Sequence, residues 1–269
     1  MDRLRFQSLA SGSSGNCYFI GNASCGILID AGIGVRTIRK CLRNIGLDFS
    51  NIWGVFVTHD HADHIKAVGS IGERFKVPVY STRRVHEGID RSYCVTEKLF
   101  GSRRYIEKFE TITVGDFNVT AFPVSHDATD NVGYTVEYKG KRFTFATDLG
   151  YVCENAALHL QQADYMVFEA NYDEQMLDDG TYPEHLKMRI KANTGHLSND
   201  QTGSFLAESY NERMKNIFLC HLSRQNNLPG IAFSTVENYL KEKNIKVGKD
   251  VQLTVLDRYL PSELYIFDE

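Results

Sequence analysis

The chain has 269 residues, of which 42% are hydrophobic and 24% are charged, and its formal net charge is −4. This composition is typical of a soluble globular protein, and no apolar run approaches the roughly 18 residues that a membrane helix needs. The isoelectric point near 6.1 excludes a globally basic nucleic-acid-binding protein, although a nuclease with a local basic rim is compatible with it.

The scarcity of proline and of linker-type segments favours one domain over residues 1–269. Only 5 prolines occur, and no Gly/Ser/Pro-rich linker interrupts the chain. The first residues, Met1–Phe6, lack the apolar core of a signal peptide, and the 6 cysteines form no C-x-x-C pair. We therefore expect a cytoplasmic protein with reduced thiols and no membrane association.

Alternation of apolar and polar residues predicts a first strand at Leu4–Leu9, and apolar runs predict two more at Cys17–Ile20 and Ile27–Asp30. The intervening loop, Ser11–Asn16, is rich in small polar residues. Its hydroxyl and N–H groups could bind an oxyanion, or the segment could be a plain hairpin turn. The sequence leaves both interpretations open.

The carboxylate of Asp30 stands at the end of an apolar strand, where it needs a polar partner. It could orient a metal-binding histidine, or it could cap a helix. An amphipathic helix is predicted over Gly34–Gly46, and a buried strand over Ile52–Val57.

The segment Thr58–His64 directly follows that strand and is dense in metal-ligand side chains. His59 and His61 are two residues apart, so in an extended strand end they point the same way and can hold one ion. Asp63 and His64 lie on the following turn and suit a second ion. Imidazole and carboxylate ligands fit Zn, Mn or Fe. The alternative is a histidine-rich surface turn without metal.

After a short predicted helix and a strand at Val77–Tyr80, residues 83–110 are the least regular part of the chain. Basic and aromatic residues alternate there: Arg83, Arg84, Arg91, Lys98, Arg103, Arg104 and Lys108, with Tyr93, Phe100, Tyr105 and Phe109. This pattern is typical of a nucleic-acid-binding surface, and equally of a surface insertion with its own small core.

Further predicted strands also end in ligand-type side chains, and strand ends in a packed sheet can cluster on one rim. The strands are Phe117–Phe122 before His126, Arg142–Ala146 before Asp148, Tyr165–Phe168 before Glu169, and Ile217–Cys220 before His221. A hairpin connects Val132–Tyr138 to the strand before Asp148.

The second half is more helical, with predicted helices at Val152–Gln161, Glu184–Lys191, Asn199–Tyr210 and 230–242, and a final strand near 251–256. His196 lies outside these elements, in the segment Thr194–Ser198. By contrast, His86, His159 and His185 lie in predicted helices without companions, so we assign them no ligand role.

The segment Thr58–His64 matches the H-x-H-x-D-H signature of the metallo-β-lactamase fold superfamily. The later residues His126, Asp148 and His221 follow in the order of that family's remaining ligands. The resemblance implies an α/β fold, a four-layer αββα sandwich with mixed sheets, and a site for two divalent metal ions. By position, one ion would be held by His59, His61 and His126, and the other by Asp63, His64 and His221, with Asp148 bridging.

Four motifs narrow the resemblance to the YycJ/WalJ-like subgroup: Leu9–Asn16, Phe168–Asn171, Gly195–Asn199 and His221–Asn227. That subgroup is regarded as cytoplasmic bacterial 5′→3′ DNA exonucleases. The chain lacks room for the inserted domain of ribonuclease J-like enzymes. The motif around His196 is similar to one in ribonuclease Z, but no tRNA-gripping arm is evident.

The resemblance predicts a phosphodiesterase that acts on nucleic acid, with DNA as the expected substrate. Asp63 or Asp148 would orient the attacking water or accept its proton. His196, held by Glu169, would protonate the leaving oxygen or bind the scissile phosphate. Candidates for further phosphate contacts, with loop capping as the alternative role, are Ser13, Asn16, Asn226 and Asn227.

Two other functions remain open at this point. One is a small-molecule hydrolase acting on a thioester, a lactone or a cyclic nucleotide. The other is a metal-binding regulatory protein without turnover.

Overall fold

The structure is a computed structural model, and it describes residues 3–267. The strands, in chain order, are β1 (Arg5–Ala10), β2 (Cys17–Gly21), β3 (Gly26–Ile29), β4 (Ile52–Phe56), β5 (Val79–Ser81), β6 (Arg103–Tyr105), β7 (Thr111–Val114), β8 (Phe117–Pro123), β9 (Val132–Tyr138), β10 (Lys141–Ala146), β11 (Tyr165–Glu169), β12 (Asn216–Cys220), β13 (Gln252–Val255) and β14 (Tyr265–Ile266). They form two seven-stranded sheets with the orders β14-β1-β2-β3-β4-β5-β6 and β13-β12-β11-β10-β9-β8-β7.

The helices, in chain order, are α1 (Val35–Asn44), α2 (Ala62–Ile65), α3 (Val68–Phe75), α4 (Arg83–Arg91), α5 (Glu154–Gln161), α6 (Glu174–Asp179), α7 (Glu184–Lys191), α8 (Asn199–Ser209) and α9 (Pro229–Glu242). A short 3₁₀ turn at Phe49–Asn51 precedes β4. Within residues 3–267, no helix combines the length and the apolarity that crossing a membrane requires.

The described chain divides into two compact units. The first comprises the residues up to Asn118, Ala128–Asn131 and the residues from Asp257 onward, and the second comprises Val119–Asp127 and Val132–Leu256. The expectation of a single domain stays a prediction.

In the first unit, β1, β2 and β3 pair antiparallel, while β3, β4, β5 and β6 pair parallel. The apolar side of α1 packs on this sheet, with Ile38 and Leu42 in the same buried cluster as Leu28 and Val55. Their i, i+4 spacing places Ile38 and Leu42 on one helix face, so the sequence pattern fixes which side is buried.

In the second unit, β9 and β10 form an antiparallel hairpin, and β10, β11, β12 and β13 pair parallel. Helices α5, α8 and α9 contribute to one buried cluster with the sheet; Leu206 and Val236 lie there beside Phe168 and Leu219. The side chains at Phe168 and Leu219 are directly paired neighbours on adjacent strands.

Parallel pairing determines where the ligand-type residues lie. The carboxyl ends of parallel strands meet at one edge of a sheet, where α/β proteins commonly bind ligands. In the second unit, Asp148, Glu169 and His221 stand at the ends of β10, β11 and β12. In the first unit, Asp30 and His59 follow β3 and β4.

Most predicted elements are confirmed within a few residues at each end. The main difference is in residues 83–110, where only the position of His86 was assigned to a helix and the structure contains α4 and β6. Helix α4 begins because the Thr82 side chain accepts a hydrogen bond from the Val85 amide, an N-cap that the sequence analysis missed. The short elements α6, β7 and β14 were also not predicted.

Candidate metal centre

The first unit gathers four ligand-type side chains on the turn between β4 and α2. His61 is the N-cap residue of α2, and Asp63 and His64 lie within that helix. The ring centroids of His59 and His61 are 4.7 Å apart, and those of His59 and His64 are 4.0 Å apart. His59 and His64 are buried, whereas His61 and Asp63 are partly exposed. The four ligand-type residues that the sequence predicted in this unit therefore lie together on the same turn.

Asp30 supports this cluster from the end of β3. Its carboxylate accepts hydrogen bonds from the Nδ1 of His64 at 2.7 Å and from the backbone and hydroxyl of Thr58 at 2.8 Å and 2.9 Å. Burial raises the pKa of Asp30, and the facing His64 opposes that rise. Because the N-cap of α1 is Gly34, the alternative in which Asp30 caps that helix is wrong.

Asn16 and Gly32 fix the position of Asp63. The Asn16 amide group donates to the Asp63 carboxylate at 3.3 Å, and the Asn16 backbone N–H donates to the Asp63 carbonyl at 2.8 Å. A Cβ atom on Gly32 would lie 1.5 Å from that carbonyl oxygen. Only glycine therefore allows the β3–α1 connection to approach the metal-ligand turn this closely.

The second unit gathers another cluster of ligand-type groups. One ligand atom from each of Asp148, Glu169, His196 and His221 lies within 4.8 Å of all the others. The Nε2 of His126 is 3.8 Å from the Asp148 carboxylate. This unit therefore brings together every candidate ligand and catalytic residue that the sequence assigned to it.

Glu169 is the centre of the second cluster. Its Oε1 accepts hydrogen bonds from Nδ1 of His196 at 2.7 Å and from Nδ1 of His221 at 3.1 Å. Its Oε2 accepts from the backbone N–H groups of Leu149 at 2.8 Å and Leu197 at 3.2 Å. Burial raises the pKa of this carboxylate, but the facing histidines more than offset that effect, so the pKa is lowered overall.

The donor set fits divalent metal ions. In each of four histidines the Nδ1 atom faces a hydrogen-bond acceptor: the Thr58 hydroxyl for His59, Asp30 for His64, the Gly195 carbonyl for His126, and Asp148 and Glu169 for His221. A proton on Nδ1 leaves the lone pair on Nε2, the arrangement typical of metal-binding histidines.

The electrostatics of His126 also favour metal binding. Burial lowers the pKa of His126, and the nearby Asp148 carboxylate only partly opposes this effect. The ring is therefore held neutral, which is the form that coordinates a metal ion.

The four candidate phosphate contacts lie in different environments. Ser13 is exposed, whereas Asn16 is buried and its side chain bonds to Gly12, Asp63 and His64. The Asn227 side chain caps the loop, donating to the carbonyls of Ala170 and Asn171. The buried Asn226 side chain makes no hydrogen bond to the described residues.

Some supporting groups had no sequence assignment. Thr58 was part of the motif, but its hydroxyl role, bridging Asp30 and His59, was missed. A polar residue directly before the first ligand is the signal that could have found it. The Gly195 carbonyl, which accepts from His126, has no such signal because it is a backbone group.

Comparison with known proteins places the chain in a family. Residues 26–217 match a family model described as the beta-lactamase superfamily domain. The chain is 32% identical over 266 residues to exodeoxyribonuclease YycJ of Bacillus anthracis, covering 97% of this chain and 98% of that protein. It is also 32% identical over 250 residues to exodeoxyribonuclease WalJ of Streptococcus pneumoniae serotype 2 (strain D39), covering 93% of each.

The fold has solved counterparts. The metallo-β-lactamase fold protein YhfI of Bacillus subtilis superposes with a TM-score of 0.71 at 13% identity, covering 97% of this chain and 99% of that one. The predicted α/β sandwich class is thereby confirmed. The similarity to exodeoxyribonucleases favours a hydrolase over the alternative of a metal-binding regulatory protein without turnover. The chain therefore belongs to the metallo-β-lactamase fold superfamily, in its YycJ/WalJ-like subgroup, and is a metal-dependent hydrolase.

Proposed function

We propose that the chain is a dinuclear phosphodiesterase that degrades DNA as a 5′→3′ exonuclease. The observation that carries this proposal is the His196–Glu169 hydrogen bond of 2.7 Å beside Asp148. A histidine held by a buried carboxylate next to a metal-ligand cluster has the placement that a general acid needs.

The proposed ligand sets combine both clusters, with Zn, Mn or Fe as the candidate ions. One ion would be held by His59, His61 and His126, the other by Asp63, His64 and His221, with Asp148 bridging them. Two divalent ions bound there would lower the pKa of water toward neutrality and neutralise charge on phosphoryl oxygens.

The chain's own residues would move the protons. Asp63 orients the attacking water and accepts its proton, with Asp148 as the alternative acceptor. The His196 side chain is 20% exposed, so its ring can contact a bound phosphodiester. Glu169 accepts the Nδ1–H of His196 and thereby directs the second ring N–H, at Nε2, toward the leaving oxygen. In the doubly protonated ring, the Nε2 proton passes to the leaving oxygen while the Nδ1 proton stays on the ring.

The named relatives support DNA as the substrate. Both named relatives are exodeoxyribonucleases, and each aligns over nearly the whole chain. The polar side chains of Ser13 and Asn226 are proposed phosphate contacts. Asn16 and Asn227 remain weaker candidates, because their amides already bind protein groups. A cytoplasmic location stays a prediction.

The test supplies the purified protein with Mn²⁺ or Zn²⁺ and offers it DNA and RNA strands labelled at the 5′ or the 3′ end. A thioester and bis(p-nitrophenyl) phosphate are assayed in parallel. We expect the 5′ label to be released at once as a mononucleotide, while the 3′ label remains in progressively shorter fragments. Hydrolysis of the thioester with DNA left intact would contradict the proposal.

A matched pair of variants shows that the activity belongs to this site. Asp148→Asn should abolish DNA hydrolysis, because the proposed bridging carboxylate is lost. Asp250→Asn alters a partly buried aspartate of the α9–β13 connection and should leave hydrolysis at the wild-type rate. Equal loss in both variants would point to damage to the fold rather than to the site.

A further inference from the structure

The first unit contains a groove that none of the proposed ligands lines. Its volume is about 540 Å³, and its walls are Asp90, Lys98, Leu99, Phe100, Arg103 and Tyr105. We name it the β6 groove, because β6 supplies Arg103 and Tyr105 and lies at the edge of its sheet. A volume of this size falls in the range of ligand-binding pockets in proteins.

Aromatic rings in and near the β6 groove are exposed. Phe100 is 85% exposed, Tyr105 is 43% exposed, and Tyr93, which follows α4, is 89% exposed. Large aromatic side chains are normally buried, and adjacent exposed ones mark a binding surface. Flat rings offered to solvent are suited to stacking against nucleobases.

The segment 83–108, which supplies every lining residue of the β6 groove, carries more basic than acidic side chains, although the chain as a whole is acidic. Between residues 83 and 108 there are seven basic and four acidic side chains, against 30 and 34 in the whole chain. The carboxylate that lines the groove, Asp90, is bonded to Arg103 at 2.6 Å. The Arg83 guanidinium lies 4.6 Å from the centre of the Tyr105 ring, so an aromatic platform and a cation are adjacent.

Helix α4 connects the β6 groove to the metal-ligand turn of the same unit. A Cβ atom on Gly88 would lie 1.9 Å from the carboxylate of Asp60, so the helix rests directly on that turn. Asp90 is two residues further along α4, which places it on nearly the opposite side of the helix, and it lines the groove. The groove and the turn are therefore separated by about the width of one helix, roughly 10–12 Å.

We propose that the β6 groove is a subsite for a single-stranded segment of the DNA substrate. Phe100 and Tyr105 stack on bases, while Lys98 and Arg83 contact phosphates. A single strand offers base faces and phosphates together, whereas a duplex hides the base faces. The inference rests on the proposed nuclease function for its substrate, but the binding itself can be measured without turnover.

The test measures the fluorescence anisotropy of a labelled, nuclease-resistant phosphorothioate oligothymidylate with the full chain. We expect Phe100→Ala to weaken binding roughly 10-fold, the size of one lost base stack. Lys98→Ala should lower the slope of log affinity against log salt by about 0.7, as expected for one lost phosphate contact on a single strand. Tyr259→Ala is the matched control, an aromatic that is 54% exposed elsewhere in the same unit, and should bind normally.

Hydrolysis assays distinguish a failure of the β6-groove subsite from a failure of the proposed exonuclease function. Phe100→Ala should raise KM for long single strands and leave kcat, as well as hydrolysis of a dinucleotide, unchanged. DNA hydrolysis by the wild type with unaltered binding in Phe100→Ala and Lys98→Ala would overturn the subsite alone. Binding that depends on Phe100 without any DNA hydrolysis would overturn the exonuclease and keep the subsite. Concentration-dependent dimerisation that Phe100→Ala abolishes, with no effect on DNA binding, would assign the groove to a second copy of the chain.

Discussion

Replacing Glu169 with glutamine tests the hydrogen-bonded centre of the second cluster. The glutamate is fully buried and accepts four hydrogen bonds, two from histidine rings and two from backbone N–H groups. Glutamine has almost the same shape, but it turns one acceptor oxygen into an NH₂ donor. Two of the four donors then face another donor.

The structure determines the size and the kind of the expected effect. Hydrogen bonds to a charged group contribute about 1.5–3 kcal/mol each, so losing two should lower the free energy of unfolding of the metal-free protein by about 3–6 kcal/mol. If the new NH₂ group faces the rings, the Nδ1 of His221 must accept a hydrogen bond and its proton moves to Nε2. Metal affinity should then fall roughly 10-fold to 100-fold.

Two measurements check this prediction: urea unfolding of the metal-free protein, and calorimetric titration with Zn²⁺. The matched control is Glu242→Gln, which makes the same chemical change at an exposed position on α9 and should alter neither quantity. A change below about 1 kcal/mol in Glu169→Gln, with unaltered metal affinity, would refute the assignment of Glu169 as the residue that orients the histidines.

The remaining predictions concern catalysis, packing and pH. His196→Ala should retain the metal ions but lower turnover roughly 100-fold, whereas the exposed His185→Ala should not; wild-type turnover would remove His196 from the mechanism. Gly32→Ala should cost roughly 2–3 kcal/mol in urea unfolding and weaken metal binding, because the new methyl group meets a backbone carbonyl. Gly34→Ala, whose nearest atom would be 3.8 Å away, should change little, and equal losses would contradict the packing argument. Hydrogen bonds from two arginines hold the pKa of Asp48 well below its usual value, so its ionised form stabilises the fold above about pH 4. Asp48→Asn should cost about 1 kcal/mol at pH 7, with the difference from wild type shrinking as pH falls below about 4; a constant difference would contradict this assignment.

The sequence predicted those parts of the fold that follow from local pattern. Alternation and apolar runs located β3 and β4, and the i, i+4 spacing of Ile38 and Leu42 located α1. Most ligand-type residues were recognisable because they closely follow a predicted strand, whereas His196 was recognised only through its motif Gly195–Asn199. Parallel pairing then brings Asp148, Glu169 and His221 to one edge of their sheet.

Features that depend on long-range contacts could not be predicted. Helix α4 is short and rich in charge, and its buried side is clear only when Val85 and Ile89 pack into the first unit's core. Strand β14 has two residues and exists only because it pairs with β1 at the other end of the chain. The contact of Asn16 with Asp63 likewise joins residues 47 positions apart.

In the proposed function, residues of the two clusters would hold two divalent ions in one hydrolytic centre. Anomalous diffraction from crystals of the Mn²⁺-loaded protein tests it directly. Two peaks are expected, one at His59, His61 and His126 and the other at Asp63, His64 and His221, with Asp148 contacting both. A single peak, or a peak held by Glu169 and His196, would contradict the proposed ligand sets.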